Sequence, residues 1–472
     1  MRKSLIFIIA VVVTAATLFF TFNFSGCTAS LDEASASQLK NDVYDIYEEL
    51  KPIYLDSKDI YEVRDHMYEW GKEHGFSVSK LAGGNLVITK HPSRNKKDSP
   101  ETVFQCTMSQ DNYKEHCQTA AIALAAMKNA SIHGQVSLIL TADIEGKHTG
   151  AKMLSRSYLN TDYFMNLEYS PETAVYTGSA ATAEYSMSCP LTKSETAADK
   201  AYEITITGLS CVDSSDCSKK HPNPIVTIAD LLTNCKSGGL IIELAEFNGG
   251  TSACKFPSSA TAVIVVDQSS ETKFLKKLEK CQDDFTDDYY NDQPNMDFEF
   301  KEVQVPSKVI SEKYTSNILS LMYTTVNGTY STTEEDGEGD PTALANKGSI
   351  STKEDFELSM CARAADNGLL EEMDGSYRKS AELSDMKFTI KDETPCWPFS
   401  DGGDFYKLLS SAGSQGGLDM PEPSSTFKKS ECAVFYKKKN DINMISFGVN
   451  NGSSFEQSKT LVYFLSFICL EK

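Results

Sequence analysis

Histidine is scarce in this chain: its 472 residues contain only seven, and none lies after His221. A site that needs imidazole must therefore take it from the first half of the sequence. Cys-x-x-Cys pairs are absent, which argues against a zinc ribbon. Neither a Gly-x-Ser-x-Gly elbow nor a phosphate-binding Gly loop occurs. The sequence thus argues against a serine hydrolase of the elbow type and against a P-loop enzyme.

Basic residues are also in deficit, because 45 Lys and Arg face 66 Asp and Glu, a formal net charge of −21. This balance argues against a nucleic-acid partner and against binding of an anionic membrane by the folded body. A hydrophobic share of 40% and an aromatic share of 10% are typical of a globular protein. The length predicts two to four domains with a large core.

A long apolar run occurs only near the amino terminus, where residues 5–22 follow Arg2-Lys3. This pattern predicts a signal peptide or signal anchor over residues 1–24, followed by a spacer over residues 25–41. Phe24-Ser25-Gly26-Cys27 resembles a bacterial lipobox, so lipidation of Cys27 stays open. We therefore expect an extracytoplasmic protein, either secreted or anchored to the membrane by its N-terminal segment.

Cysteine, in contrast, is plentiful: the sequence contains 13, of which 12 lie beyond Cys27. Cysteine-rich chains are typical of oxidising compartments. We expect disulfides, as many as six, with a pairing that the sequence leaves open.

The order of elements predicts an α/β fold. A buried-type strand at residues 103–108 precedes an Ala-rich helix at residues 119–127, and a second such strand spans residues 136–141. Strand, helix and strand in this order predict parallel pairing with covering helices. We further expect helix over residues 39–74, a charged helix over residues 271–281 and an acidic loop over residues 285–294.

The strand at residues 136–141 ends in an acidic turn, Asp143-Ile144-Glu145-Gly146. In an open α/β sheet, ligands bind at the carboxyl ends of the strands. Glu145 is therefore a candidate site residue, although a lone acidic turn residue is more often simply solvated.

Several short motifs, in their order and spacing, resemble the aminoacyl-histidine dipeptidases, a family of co-catalytic zinc exopeptidases. The resemblance spans residues 43–470, and it rests on Trp70-Gly71-Lys72-Glu73-His74-Gly75-Phe76, Gly84-Asn85-Leu86, His133-Gly134 with Glu145, Phe247-Asn248-Gly249-Gly250-Thr251, Thr394-Pro395-Cys396-Trp397 and Glu431-Cys432. It implies a zinc-exopeptidase-like mixed sheet with flanking helices, interrupted by an α+β lid domain. The corresponding division is residues 42–185 and 394–472 for the catalytic-type domain and residues 186–393 for the lid.

The family chemistry uses two zinc ions bridged by a carboxylate, with a Glu as general base on metal-bound water. The resemblance implies that most of these groups are replaced in this chain. The general-base position is Ile144, the lost ligand positions are Thr107, Ser109 and Phe427, and the substrate-facing His position of the lid is Asp213. Three carboxylates remain at the other ligand positions, and they are Glu115, with Asp111 and His116 nearby, Glu145 and Glu168.

Hydroxyl groups bind zinc poorly, and loss of a general base alone removes a factor of about 10² to 10⁴ in rate. We therefore expect an exported, tethered pseudoenzyme that needs no cofactor and binds a peptide or acts as a scaffold. The alternative is a metal-dependent dipeptidase that uses zinc or another divalent ion at Glu115, Glu145 and Glu168. A purely structural surface protein is a third reading. A Cys117–His116 nucleophile is disfavoured, since adjacent helix residues point apart.

Overall fold

The computed structural model describes residues 31–216, 220–334 and 339–470. The predicted signal segment at residues 1–24 and the lipobox-like Cys27 lie outside these ranges. The chain forms two compact units. The first comprises Met1–Thr177, Ser400–Ser424 and Val434–Lys472, and the second comprises Gly178–Phe399 and Ser425–Ala433. Among the described residues, no helix has the length and apolar character needed to span a membrane.

The described residues contain eleven α-helices. In chain order these are α1 Glu33–Asp56, α2 Ile60–Glu73, α3 Tyr113–Asn129, α4 Thr149–Met153, α5 Pro224–Ser237, α6 Gln268–Tyr289, α7 Glu312–Thr324, α8 Asn367–Leu383, α9 Gly403–Gly416, α10 Glu431–Lys438 and α11 Ser454–Phe467.

The same ranges contain nineteen strands. These are β1 Ser77–Lys80, β2 Leu86–Lys90, β3 Thr102–Met108, β4 Val136–Ala142, β5 Tyr163–Tyr169, β6 Ala174–Ser179, β7 Ala181–Cys189, β8 Lys193–Glu195, β9 Lys200–Thr207, β10 Ile242–Gly250, β11 Ala260–Val266, β12 Asp297–Val303, β13 Lys308–Ile310, β14 Gly328–Thr332, β15 Pro341–Ser351, β16 Phe356–Ala364, β17 Lys387–Thr394, β18 Ser424–Thr426 and β19 Met444–Val449.

The first unit is built on a mixed eight-stranded sheet in the order β1-β2-β4-β3-β5-β19-β6-β18. The four central strands β4, β3, β5 and β19 are parallel, and β1, β2 and β6 run antiparallel to their neighbours. The chain supplies β19 from beyond Trp397. Six of the seven β4 side chains are buried, as expected for a central strand covered on both faces.

Helices α1, α3 and α11 contribute to the core of this unit. Eleven consecutive residues of α3, from Cys117 to Met127, are buried, and small alanines allow this close packing. The predicted helix over residues 39–74 is two helices, because Asp59 caps α2 by accepting hydrogen bonds from the main-chain nitrogens of Tyr61 and Glu62, each at 2.9 Å. Asp59 followed by Glu62 has the spacing of a capping box.

The second unit contains a nine-stranded antiparallel sheet in the order β12-β9-β11-β10-β15-β16-β7-β17, with β14 also paired to β15. Helices α5 to α8 belong to this unit, so it has α+β character. The predicted acidic loop at residues 285–294 is wrong for its first half: α6 continues to Tyr289 because Phe285 packs against Phe298, with ring centroids 5.8 Å apart. The predicted fold class, an α/β mixed sheet with flanking helices, is confirmed.

The described residues form one disulfide, Cys254–Cys361 in the second unit, where the sequence allowed as many as six. Nine other described cysteines are not bridged, and seven of these are buried. A buried thiol behaves as a small apolar side chain. Most described cysteines therefore serve as packing residues.

Candidate functional site

The carboxyl ends of the parallel strands define the candidate site in the first unit. Met108 of β3 pairs in register with Ala142 of β4, and Tyr169 of β5 pairs with Val449 of β19. The main-chain nitrogen of Asp143 continues the first pairing with a 2.9 Å hydrogen bond to the oxygen of Met108. The loops that follow these strands are therefore neighbours at one edge of the sheet, where α/β proteins bind ligands.

The loop after β4, residues 143–149, is closed by Asn85. The Asn85 side-chain oxygen accepts from the nitrogen of Ala142 at 3.0 Å, and its amide nitrogen donates to the oxygen of Gly150 at 2.9 Å. A Cβ on Gly150 would lie 2.1 Å from that side-chain oxygen, so only glycine fits there. Inside the loop, Asp143 Oδ1 accepts from the nitrogen of His148 at 2.7 Å. The loop is thus fixed at both ends and internally.

Backbone strain concentrates at this edge. Of the five described non-glycine residues with positive φ, three lie in the loops after β3 and β4: Asn112 at 53°, Glu145 at 58° and His148 at 51°. Such conformations cost free energy and often occur at functional sites. The fold therefore holds these loops in a specific shape.

Glu145 lies at the surface of this loop. Its side chain is 71% exposed and its Oε2 lies 2.5 Å from Lys147 Nζ. That hydrogen bond, with the charge of Lys147, lowers the pKa of Glu145. The carboxylate is thus ionised, solvated and paired with an ammonium group of the same loop.

Ile144, which the resemblance assigns to the general-base position, is half-buried and packs against the apolar core of the first unit. Thr107 and Ser109 lie at the end of β3, where Thr107 is half-buried and Ser109 is 7% exposed. None of these three side chains can act as a carboxylate or imidazole ligand. Together with the Glu145–Lys147 pair, this donor set does not fit two zinc ions.

Glu115 and Glu168 lie at the same edge of the sheet, because each is close to the carboxyl end of a parallel strand. Glu115 is in the first turn of α3, directly after the β3 loop, and Glu168 lies next to last in β5, opposite Gly448 of β19. Both are half-buried. Within the described ranges, no group of three or more His, Cys, Asp or Glu side chains is arranged to hold a metal ion. Convergence of Glu115, Glu145 and Glu168 on one ion stays a prediction.

His116 and Cys117 follow Glu115 on α3. Burial lowers the pKa of His116 to about 4, against the opposing effect of hydrogen bonds to the main chain of Asp111 and Thr107. Burial raises the pKa of Cys117 to about 12. A thiol of this kind carries almost no thiolate at neutral pH, so the structure argues against a Cys117 nucleophile.

In the second unit, one arginine contacts two positions singled out by the resemblance. Arg363 of β16 is 2% exposed, and its Nη2 lies 2.9 Å from Asp213 Oδ1. Its Nη1 donates to the main-chain oxygen of Phe427 at 2.9 Å. Asp213 therefore pairs with a buried cation, and Phe427, the predicted lost ligand position, contributes its main-chain oxygen to the same arginine.

The disulfide lies beside this cluster. Cys361 precedes Arg363 by two residues on β16, so both side chains lie on the same face of the strand. Its partner Cys254 accepts a 2.9 Å hydrogen bond from the nitrogen of Ser214, the residue after Asp213. The bridge thus holds the Asp213 loop close to the strand that carries Arg363.

Sequence reasoning missed Arg363 and gave Asn85 no role. The sequence does contain a signal for Arg363: it is the single charge in the otherwise apolar run Met360-Cys361-Ala362-Arg363-Ala364. A charge in a buried strand needs a partner, so this pattern predicts an ion pair. Asn85, 0% exposed, opens a buried strand, and a buried amide requires hydrogen-bond partners in the same way.

The fold described above is a mixed α/β sheet unit whose sequence is interrupted by a second unit of α+β character. No protein-family model matches the sequence. The crystal structure of aminoacylhistidine dipeptidase from Vibrio alginolyticus matches with a TM-score of 0.69 and 18% identity, covering 95% of this chain and 98% of that one.

A second similar protein is the cytosol non-specific dipeptidase of Escherichia coli strain K12, which is 20% identical over an alignment of 444 residues that covers 86% of this chain and 90% of that protein. A dinuclear metal-binding peptidase of the M20 family, YXEP from Bacillus subtilis, matches with a TM-score of 0.42 and 11% identity over 93% of this chain and 99% of that one. The chain is therefore a homologue of the dipeptidases and has the fold of an aminoacylhistidine dipeptidase. The predicted resemblance is confirmed; the loss of the metal site stays a prediction.

Proposed function

We propose that this protein is a non-catalytic relative of the dipeptidases that binds a peptide without cleaving it. The observation that carries the proposal is the state of the loop after β4. Ile144 packs into the apolar core where the family has its base, and Glu145 points to solvent against Lys147. Hydrolysis of a peptide by this fold requires an activated water, and neither residue is placed to hold or deprotonate one.

The location belongs to the same proposal. The apolar run at residues 5–22 and the preceding Arg2-Lys3 support export with retention by the N-terminal segment. A peptide-binding body outside the membrane would then use the edge formed by β3, β4, β5 and β19. The retained dipeptidase fold supports a peptide as the ligand class.

The competing function is a metal-dependent dipeptidase with a remodelled, carboxylate-rich site. It is favoured by the position of Glu115 and Glu168, since both remain at the carboxyl edge of the sheet and both are half-buried. Carboxylates alone suit hard, oxygen-preferring ions rather than zinc. The homology to dipeptidases is compatible with this reading.

One set of measurements on the purified full-length chain separates the two functions. Metal content is determined by mass spectrometry, and hydrolysis of Xaa-His and other dipeptides is assayed with and without added zinc or manganese. Calorimetry with the same dipeptides then measures binding. The proposal expects binding, little metal and no turnover. Stoichiometric metal, with turnover abolished by Glu145→Ala and kept by the control Glu172→Ala, would establish the dipeptidase instead.

A further inference from the structure

Three acceptor sequences for N-linked glycosylation, Asn-x-Ser/Thr, lie in the part of the chain that the structure describes. They are Asn129-Ala130-Ser131, Asn327-Gly328-Thr329 and Asn451-Gly452-Ser453. A fourth, Asn23-Phe24-Ser25, begins in the predicted signal segment and lies outside the described ranges. A glycan is bulky and hydrophilic, so its asparagine must lie at the surface of an exported protein. The surroundings of the three described asparagines therefore decide which of them can carry one.

The geometry of a substituted amide sets two conditions on the acceptor. A glycosylated asparagine is a secondary amide, in which the two carbon substituents lie trans across a planar C–N bond. The first sugar carbon therefore lies on the same side of the amide as Oδ1, and it replaces one of the two hydrogens on Nδ2. In the folded protein, the acceptor must have space beside Oδ1 and a hydrogen on Nδ2 that no buried group needs.

Asn129, the last residue of α3, fails the second condition. Its Nδ2 donates to Asp42 Oδ2 at 2.8 Å and to the main-chain oxygen of Ala125 at 2.9 Å, so both hydrogens of the amide are in use. Asp42 is 3% exposed, and a buried carboxylate depends on its donors. A glycan on Asn129 would remove one of these two hydrogen bonds, which makes the folded protein a poor carrier of that glycan.

Asn327 fails the first condition. Its Oδ1 accepts from the main-chain nitrogen of Lys347 at 2.8 Å and from Nδ2 of Asn223 at 3.3 Å. Lys347 and Asn223 are 2% and 6% exposed. The side of the amide on which the sugar would lie is therefore filled by buried groups of β15 and of the residue that caps α5. A glycan on Asn327 would have to displace them.

Asn451 meets both conditions. It is exposed, as is Gly452, and it opens the short turn Asn451–Ser453 between β19 and α11. This turn is held without the Asn451 side chain: Asn450 Oδ1 accepts from the nitrogen of Ser453 at 3.0 Å, and the main-chain oxygen of Asn451 accepts from the Ser454 hydroxyl at 2.8 Å. Among the described residues, the Asn451 side chain makes no hydrogen bond. Its Nδ2 can therefore be substituted at no cost to the fold.

We propose that Asn451 carries an N-linked glycan and is the one acceptor among the three described sequences that the folded protein keeps glycosylated. The inference rests on the proposed export of the chain, and it does not depend on whether the candidate site cleaves peptides. The donor is an oligosaccharide joined through its anomeric carbon to a lipid diphosphate. Nδ2 of Asn451 attacks that carbon, a C–N bond forms and the bond from the carbon to the diphosphate oxygen breaks. The lipid diphosphate leaves, and one amide proton passes to a base of the transferring enzyme.

Expression of the full-length chain in insect cells tests the proposal. Export is scored by recovery in the medium or by protection from protease in sealed microsomes. Peptide-N-glycosidase then converts each glycosylated Asn to Asp, and peptide mass spectrometry measures the occupancy of each sequence. We expect conversion at Asn451 in the exported protein, with occupancy at Asn129 and Asn327 lower by at least tenfold. Exported protein with an unmodified Asn451, or with its glycan on Asn129 or Asn327 instead, overturns the assignment and leaves export standing. A chain that is neither secreted nor protected overturns both.

Variants of the hydroxyl residue in each sequence identify the glycan without changing any asparagine. Ser453→Ala is expected to abolish the glycan, while its main-chain nitrogen still donates to Asn450. Ser453→Thr keeps the acceptor sequence and should keep the glycan. Ser131→Ala and Thr329→Ala, both at exposed positions, are the matched controls and should leave the glycan unchanged. A glycan that persists in Ser453→Ala, or that is lost in either control, lies elsewhere and contradicts the proposal.

Discussion

Arg363 and Asp213 form an ion pair across 150 residues of sequence, with Arg363 Nη2 lying 2.9 Å from Asp213 Oδ1. Arg363 is 2% exposed at its side chain, whereas Asp213 is 49% exposed. The carboxylate thus reaches from the surface to neutralise a buried guanidinium. Breaking such a pair from one side takes the carboxylate away from a buried guanidinium, which costs more than losing both charges together.

Asp213→Ala is therefore expected to destabilise the protein by about 1.5–3 kcal/mol, the range for hydrogen bonds to charged groups. The double variant Asp213→Ala with Arg363→Met removes both charges, and it should be closer to the parent than Asp213→Ala is. Urea unfolding followed by circular dichroism measures both. If the double variant loses as much unfolding free energy as Asp213→Ala and Arg363→Met lose together, the two residues do not interact.

Asn85→Ala is expected to destabilise the protein by roughly 1–3 kcal/mol, because the buried nitrogen of Ala142 loses its acceptor on Asn85. The oxygen of Gly150 loses one of two donors and keeps the nitrogen of Leu154. Amide hydrogen exchange in residues 143–149 should accelerate in the same variant. Asn41→Ala, at an exposed position of α1, is the control and should change stability by less than about 0.5 kcal/mol. An Asn85→Ala loop that exchanges like the parent would contradict the closing role.

Lys347 predicts a pH dependence of stability. Its Nζ donates to the main-chain oxygens of Met322 at 2.9 Å and Thr325 at 2.7 Å, and burial lowers its pKa from 10.5 to about 8. At a pH between these two pKa values, Lys347 is protonated in the unfolded chain and deprotonated in the folded protein. The free energy of unfolding therefore rises with pH across this window, by roughly 3 kcal/mol.

The contribution of Lys347 is isolated by comparison with Lys347→Met. Unfolding free energies of parent and variant are measured from pH 7.5 to 10.5. As the pH rises above 8, the unfolding free energy of the parent should increase relative to that of Lys347→Met. The exposed Lys353→Met serves as the control and should keep a constant difference. A constant difference for Lys347→Met would mean that the lysine titrates normally.

The cysteines give a further test. The described residues contain nine unbridged thiols, so at least nine should react with a thiol reagent in denatured, unreduced protein. Fewer would mean bridges beyond Cys254–Cys361. Cys254→Ser with Cys361→Ser opens a crosslink between residues 107 apart, and it is expected to lower stability by about 2–5 kcal/mol. Cys281→Ser, on α6, is a control of the same chemistry.

Ile144→Glu tests the proposal that the protein is non-catalytic, by placing a carboxylate at the predicted position of the general base. The variant is expected to show no dipeptidase activity in the presence of zinc, because Thr107 and Ser109 offer neither imidazole nor carboxylate and Glu145 is paired with Lys147. It should also lose stability, since a carboxylate would replace an apolar side chain packed on the core. Ile144→Val controls for the change in packing. Turnover gained by Ile144→Glu would show that a metal site survives.

The sequence by itself determined the elements that depend on local pattern. The buried strand Val136–Ala142 and the Ala-rich helix Tyr113–Asn129 are visible in apolar runs and in helix-forming residues. These signals are reliable because a strand or helix with one buried face repeats its pattern every few residues. The motifs, read in order, also predicted the dipeptidase fold.

The helix from Gln268 to Tyr289 shows where local pattern fails. Residues 285–294 are acidic and predict a loop, but Phe285 is 5% exposed against Phe298, and this contact continues the helix. Tertiary packing of one aromatic residue outweighs the weak helix preference of the aspartates. Nothing in the segment alone shows that β12 lies beside it.

The candidate site divides in the same way. The sequence placed Glu145 after a central strand, and this is correct. Only the tertiary structure decided that its side chain faces solvent against Lys147, that Asn85 closes its loop and that Arg363 is the partner of Asp213. Position in a strand follows from neighbouring residues. A buried polar group needs a hydrogen-bond partner, because leaving it unpaired costs free energy. That partner is often distant in the sequence, so only the packing of the folded chain decides which residue it is.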